Sequence, residues 1–188
     1  MNDSPGVQPF VRRVRFGETD LYVSRLCQGT AFRHLPRNDN PGSLRVLKHC
    51  LEVGVNFFDS SNAYGWGGAE GLLGQAIVGW RDRVVICTKV AAYQAVETNG
   101  LEGAATEVSF SREFLFAQVE SSLDRLGTDY IDLYMLHQSD KITPAEEIVD
   151  TMEALVTSGK IRYWGISNHT AAQVNEYLNL CGQSEKPS

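Results

Sequence analysis

The chain has 188 residues and a formal charge of −6, enough length for one domain with a real core. The acidic balance argues against nucleic acid as the main partner, which would need clustered Lys and Arg; Arg12, Arg13 and Arg15 read as a solvated hairpin edge. No stretch approaches the roughly 20 apolar residues of a membrane span.

Met1 to Gln8 is polar and lacks an apolar run, so no signal peptide is visible and residues 1–10 are expected to be disordered. Val11–Phe16 and Leu21–Val23 flank a turn-rich stretch and predict a β-hairpin. Arg25–Gly29 is a short strand, and 36–42 a loop. Ser43 is expected to cap a helix carrying Leu44, Leu47 and Leu51 and stopping at Gly54. Val55–Asp59 is the next strand. Gly65–Gly68 reads as a loop into a helix near Ala69–Val78, followed by the strand Val84–Val90.

Ala91–Phe110 is the longest irregular stretch, of the kind that is usually functional or mobile. Ser111 caps a helix with Leu115, Val119, Leu123 and Leu126 inward, closed by Gly127. The next strand leads to His137. Thr143–Glu146 has the form of a capping box with Pro144 at the first helical position. Its helix buries Ile148, Met152, Leu155 and Val156 and stops at Gly159. The strand from Ile161 ends at Ser167. Thr170–Gln173 is a second capping box, and the helix after it shows Val174, Tyr177, Leu178 and Cys181 at helical spacing. Residues 183–188 are a polar tail. Five strand–helix units thus stand behind a hairpin in one domain, residues 11–182. The near-continuous apolar strands imply a parallel sheet covered on both faces.

Cys27, Cys50, Cys87 and Cys181 lack paired metal spacing, and the first three lie on apolar faces as small hydrophobes. No metal site is expected, and a reduced, cytoplasmic protein is the expected context. The glycines at 65, 67, 68, 71 and 74 miss the dinucleotide fingerprint, because the third required glycine falls on Glu70.

Four apolar strands end in chemistry. Phe57-Phe58 runs into Asp59, Val84–Thr88 into Lys89, Ile131–Leu136 into His137 and Ile161–Ile166 into Ser167-Asn168, with Tyr64 just past Asp59. Parallel strands sit roughly 4.8 Å apart, so three adjacent tips span about 10 Å. Ligands bind at that rim. A lysine closing an apolar strand needs a counter-charge or must snorkel outward, and the neighbouring Asp59 favours the ion pair. An ammonium beside a phenol favours the phenolate, and an imidazole can orient a substrate oxygen. The set suits protonation of a carbonyl oxygen while hydride arrives at carbon, or the reverse. No side chain supplies hydride, so a nicotinamide is required.

Asn56–Gly65, Ile86–Val90, Ser122–His137 and Lys160–Asn168, taken in order, resemble the signature segments of the aldo-keto reductase family. The resemblance runs from the hairpin to the last helix. It implies a (β/α)8 TIM-type barrel and reduction of small aldehydes, ketones or sugars with NADP(H), the choice between NADP(H) and NAD(H) staying open. It implies Tyr64 as acid, tuned by Lys89 and Asp59, with His137 orienting the carbonyl. It also implies a nicotinamide lined by Thr30, Asp59, Ser167 and Asn168. Phe32, Trp66 and Tyr93 are candidates either for pocket walls or for packing. Full barrels of this type need about 250 residues. Five units are therefore expected to form an incomplete barrel with unpaired strand edges, poor solubility or self-association, and weak cofactor binding. Some reductase-like folds serve as channel-associated subunits, so a non-catalytic interaction subunit or inactive remnant is the second expectation.

Overall fold

The computed structural model describes residues 11–31, 41–91, 93–95, 105–107, 109–140 and 142–183. The expectations for residues 1–10, for 36–40 of the predicted loop, for Phe32, for the Tyr93 side chain and for the polar tail lie outside that set, apart from the backbone of Gln183.

The hairpin forms from β1 (Arg13–Arg15) and β2 (Tyr22–Ser24), antiparallel with Val14 opposite Val23. The buried amide of Asn56 ties it down, since Asn56 Oδ1 accepts from Ser24 N at 2.6 Å and Nδ2 donates to Tyr22 O at 2.9 Å. Two backbone groups of β2 are thereby satisfied by one side chain.

Five parallel strands follow in the spatial order β3 (Cys27–Gly29), β4 (Phe57–Asp59), β5 (Val85–Val90), β8 (Ile131–Leu136) and β9 (Ile161–Ile166). Their connections carry α1 (Pro41–Glu52), α2 (Gly68–Ala76), α3 (Arg112–Leu126) and α4 (Ala145–Thr157), and α5 (Ala171–Gln183) follows β9. Sheet order equals chain order, as five consecutive units of a (β/α)8-type barrel require.

All six residues of β5 are buried, whereas β9 buries only Ile161 fully. Expected coverage on both faces therefore holds at the centre and fails at β9. Among the described residues β9 is a sheet edge with one strand neighbour, β8. Phe58, Ile86, Leu115, Leu136 and Met152 lie in the main core between sheet and helices.

Several local expectations are corrected. Ser43 lies inside α1, which already begins at Pro41; proline's fixed φ suits a first helical turn better than the serine signal implied. The stretch Ala91–Phe110 contains an antiparallel pair, β6 (Tyr93–Ala95) with β7 (Ala105–Glu107). Helix α4 takes Pro144 as its N-cap with no side-chain cap. The turn before it is held by Asp140, which accepts from Ile142 N at 2.7 Å and Thr143 N at 3.2 Å. Leu178 is 63% exposed, so α5 packs through Tyr177 instead. Cys27 is exposed, and all four cysteines are free. Ser111 does cap α3, accepting from Phe114 N at 3.3 Å, and Gly127 closes it at φ 63°. Thr170 and Gln173 bond reciprocally ahead of α5.

Helices α2 and α3 pack closely because two glycines allow it. A Cβ on Gly74 would sit 2.7 Å from Arg125 O and 2.8 Å from Leu126 O, and one on Gly67 would sit 2.6 Å from the Arg125 side chain. Between them the fully buried Glu70 accepts from Arg125 at 2.6 Å and from Thr88 Oγ1 at 2.6 Å. No helix among the described residues is long and apolar enough to cross a membrane.

Candidate active site

Backbone bonds carry the strand ladder into the rim. Thr30 N donates to Asp59 O, Ser60 N to Cys87 O, Asn62 N to Lys89 O, His137 N to Val90 O and Ser167 N to Leu136 O, all within 3.0 Å. Each post-strand residue is fixed to its neighbour strand. The side chains at the tips inherit that order.

Lys89 is 7% exposed and cannot snorkel. Its Nζ donates to Asp59 Oδ1 at 2.5 Å, to Ser60 O at 3.0 Å and lies 3.4 Å from Tyr64 Oη. Burial alone would pull its pKa down. The hydrogen bond and charge of Asp59 outweigh that, and the ammonium ends above its ordinary value. The Tyr64 ring meets the His137 ring edge-on, with centroids 5.6 Å apart at 82°. His137 is half-buried, and burial, then the nearby Lys89 charge, lowers its pKa. Both favour the neutral imidazole. Asp59, Tyr64, Lys89 and His137 thus meet in one cluster.

The remaining rim residues divide. Asn168 stands exposed in the left-handed region at φ 57°; its Nδ2 donates to His137 O at 2.7 Å. Ser167 is half-buried beside it. Both present hydroxyl and amide groups of the kind a nicotinamide carboxamide pairs with. Thr30 is different, because it is fully buried and its hydroxyl donates to Ser60 Oγ at 2.9 Å. Its hydroxyl meets the rim through that serine, and its backbone N–H through Asp59 O. Trp66 is half exposed, in a left-handed turn at φ 53°. No metal-binding group of three His, Cys, Asp or Glu occurs among the described residues.

Two contributors escaped the sequence. Ser61 Oγ lies 2.9 Å from His137 Nδ1. Asn62 clamps the loop, donating to Gln118 Oε1 and accepting from Ala91 N, each at 3.0 Å. The available signal was a polar run, Ser60–Asn62, placed directly after an apolar strand.

The sequence profile of the Aldo/keto reductase family matches residues 25–186. The chain is 32% identical over 166 residues to methylglyoxal reductase YeaE of Escherichia coli, covering 88% of this chain and 53% of that protein. It is 35% identical over 171 residues to a probable voltage-gated potassium channel subunit beta of Oryza sativa, covering 89% and 49%. The structure of aldo-keto reductase AKR11C1 from Bacillus halodurans, in its holo form, superposes with a TM-score of 0.77 at 33% identity, over 90% of this chain and 54% of that one. The chain spans about half the length of the curated relatives it matches. With the rim geometry and the order of the five units, the match over most of its length makes this chain a member of the aldo/keto reductase family.

Proposed function

We propose that this chain carries the reacting end of a carbonyl reductase that uses NADP(H), or NAD(H), on a small aldehyde, ketone or sugar. One observation supports this most: the Lys89 ammonium lies within reach of both the Asp59 carboxylate and the Tyr64 hydroxyl. The cofactor, when bound, supplies hydride to the carbonyl carbon. Tyr64 donates its hydroxyl proton to the carbonyl oxygen, which completes the alcohol. The Lys89 ammonium stabilises the phenolate left behind. Unit charges about 4 Å apart near a protein surface couple by about 4 kcal/mol. Asp59 keeps the ammonium in place and charged. His137 hydrogen-bonds the carbonyl oxygen and holds it against Tyr64. Ser167 and Asn168 hold the carboxamide, with Asp59 beside it, while Thr30 supports Ser60 from below.

The likeness to a channel beta subunit supports a second reading, in which the chain binds a partner protein and turns nothing over. Steady-state NADPH oxidation with a panel of aldehydes, ketones and sugars separates the two. Turnover that falls about 10²–10⁴-fold in Tyr64→Phe is expected from the loss of a general acid. Turnover unchanged by that substitution, or no turnover with any carbonyl, contradicts the first reading.

A further inference from the structure

Ser61 is fully buried, and its hydroxyl sits where three groups converge. It accepts from Ala63 N at 3.1 Å, lies 2.9 Å from His137 Nδ1 and lies 3.2 Å from Lys89 O. A hydroxyl has one proton, so it serves either the imidazole or the carbonyl. The carbonyl of Lys89 already accepts Asn62 N at 3.0 Å. His137 Nδ1 has no other partner among the described residues, and it is the nearer acceptor.

A neutral imidazole carries its proton on one nitrogen only, and the partner of one nitrogen decides the role of the other. Its own burial and the Lys89 charge both favour the neutral form of His137. We infer that Ser61 is a positioning residue that donates to His137 Nδ1 and thereby holds the ring proton on Nε2, where it can hydrogen-bond a substrate oxygen. Nε2 makes no hydrogen bond among the described residues. Such a ring is a pure donor on its open side. It accepts ligands that present an acceptor there, a carbonyl or an alcoholate oxygen, and disfavours ligands that present a second donor. This functional consequence deepens the carbonyl-reductase proposal and rests on it, but the protonation pattern itself does not.

The test is long-range 1H–15N correlation spectroscopy of His137 at pH 7.5, on the protein without substrate or cofactor. The expected pattern is a protonated Nε2 and an unprotonated, hydrogen-bonded Nδ1. In Ser61→Ala the Nδ1 resonance should move toward that of a nitrogen without a donor, and in Ser61→Thr it should return. A proton found on Nδ1 in the unmodified chain means that Ser61 donates to Lys89 O instead, and overturns the inference even if neither variant folds. An Ala spectrum identical to that of the unmodified chain overturns it as well. Where turnover is measurable, Ser61→Ala should lower kcat/KM about tenfold, the scale of one lost orienting hydrogen bond.

Discussion

Replacing Asp59 by Asn leaves the Lys89 ammonium buried without its counter-charge. Breaking a buried ion pair from one side costs about 3–5 kcal/mol. Here the Lys89 side chain is 9% exposed and the Asp59 side chain 31%, so water screens part of the pair. A loss of about 2–3 kcal/mol is the working figure. The asymmetry is the sharper prediction. Lys89→Met strands a carboxylate that water already reaches, and should cost less than about 1 kcal/mol. The double variant should regain most of the loss of Asp59→Asn, because no buried charge is left. Urea unfolding at pH 7, read as a midpoint shift at constant slope, measures all three. The pH dependence reverses as well. With Asp59 present the folded pKa of Lys89 is raised, so this stabilisation is whole below the unfolded value of about 10.4 and is lost as pH rises through the folded value. In Asp59→Asn burial, the largest influence, is opposed only by the smaller pulls of Cys87 and Tyr64 and should lower the folded pKa. Stability through this group should then rise as pH climbs toward about 10.4. Equal costs for the two single variants, or a loss under about 0.5 kcal/mol for Asp59→Asn, would refute the reasoning.

Gly74→Ala should push α2 away from the last turn of α3, since its Cβ would fall 2.7 Å from Arg125 O, a backbone atom that cannot swing aside. A cost of about 1–3 kcal/mol is expected, read as a drop in Tm of roughly 2–12 °C; an unchanged Tm counts against the packing described. His137 is held neutral with a lowered pKa by burial and by Lys89, so the unfolded chain binds its proton first as pH falls. Stability through this residue is whole above about 6.5 and declines below it. His137→Gln should flatten that part of a stability–pH curve measured from pH 8 to pH 5, and a curve that keeps its slope shows that other groups are responsible.

Asp59, Lys89 and His137 were legible in the sequence because each closes an apolar run, and parallel strands bring such tips together whatever the details. Tyr64 was legible from its place in the loop just past Asp59, and again from the family segment that carries both residues. Ser61 was not, since a loop serine carries no periodicity and its partner His137 lies 76 positions away. The same holds for Glu70, which looks like an ordinary first-turn acid and is in fact buried against Arg125, 55 positions on. The burial of Thr30 depends on its hydrogen bond to Ser60 across two strands, a tertiary fact. The strand Ile161–Ile166 reads as apolar as its neighbours, and only its place at the sheet edge leaves it half exposed. The pair β6–β7 went unseen because its residues, Tyr93–Ala95 and Ala105–Glu107, mix small and polar types without clear alternation. Local rules misplaced the start of α1 and the cap of α4, where proline geometry prevailed over the Ser and Thr signals.

In the proposed reaction Lys89 acts through Tyr64 rather than beside it. A double-mutant cycle on kcat/KM for carbonyl reduction, with Tyr64→Phe, Lys89→Met and both together, measures that coupling directly. The predicted result is that Lys89→Met costs much activity when Tyr64 is present and almost none once Tyr64 is Phe, a coupling of about 1–3 kcal/mol. Costs that simply add, leaving the double variant as impaired as the two losses multiplied together, would contradict it.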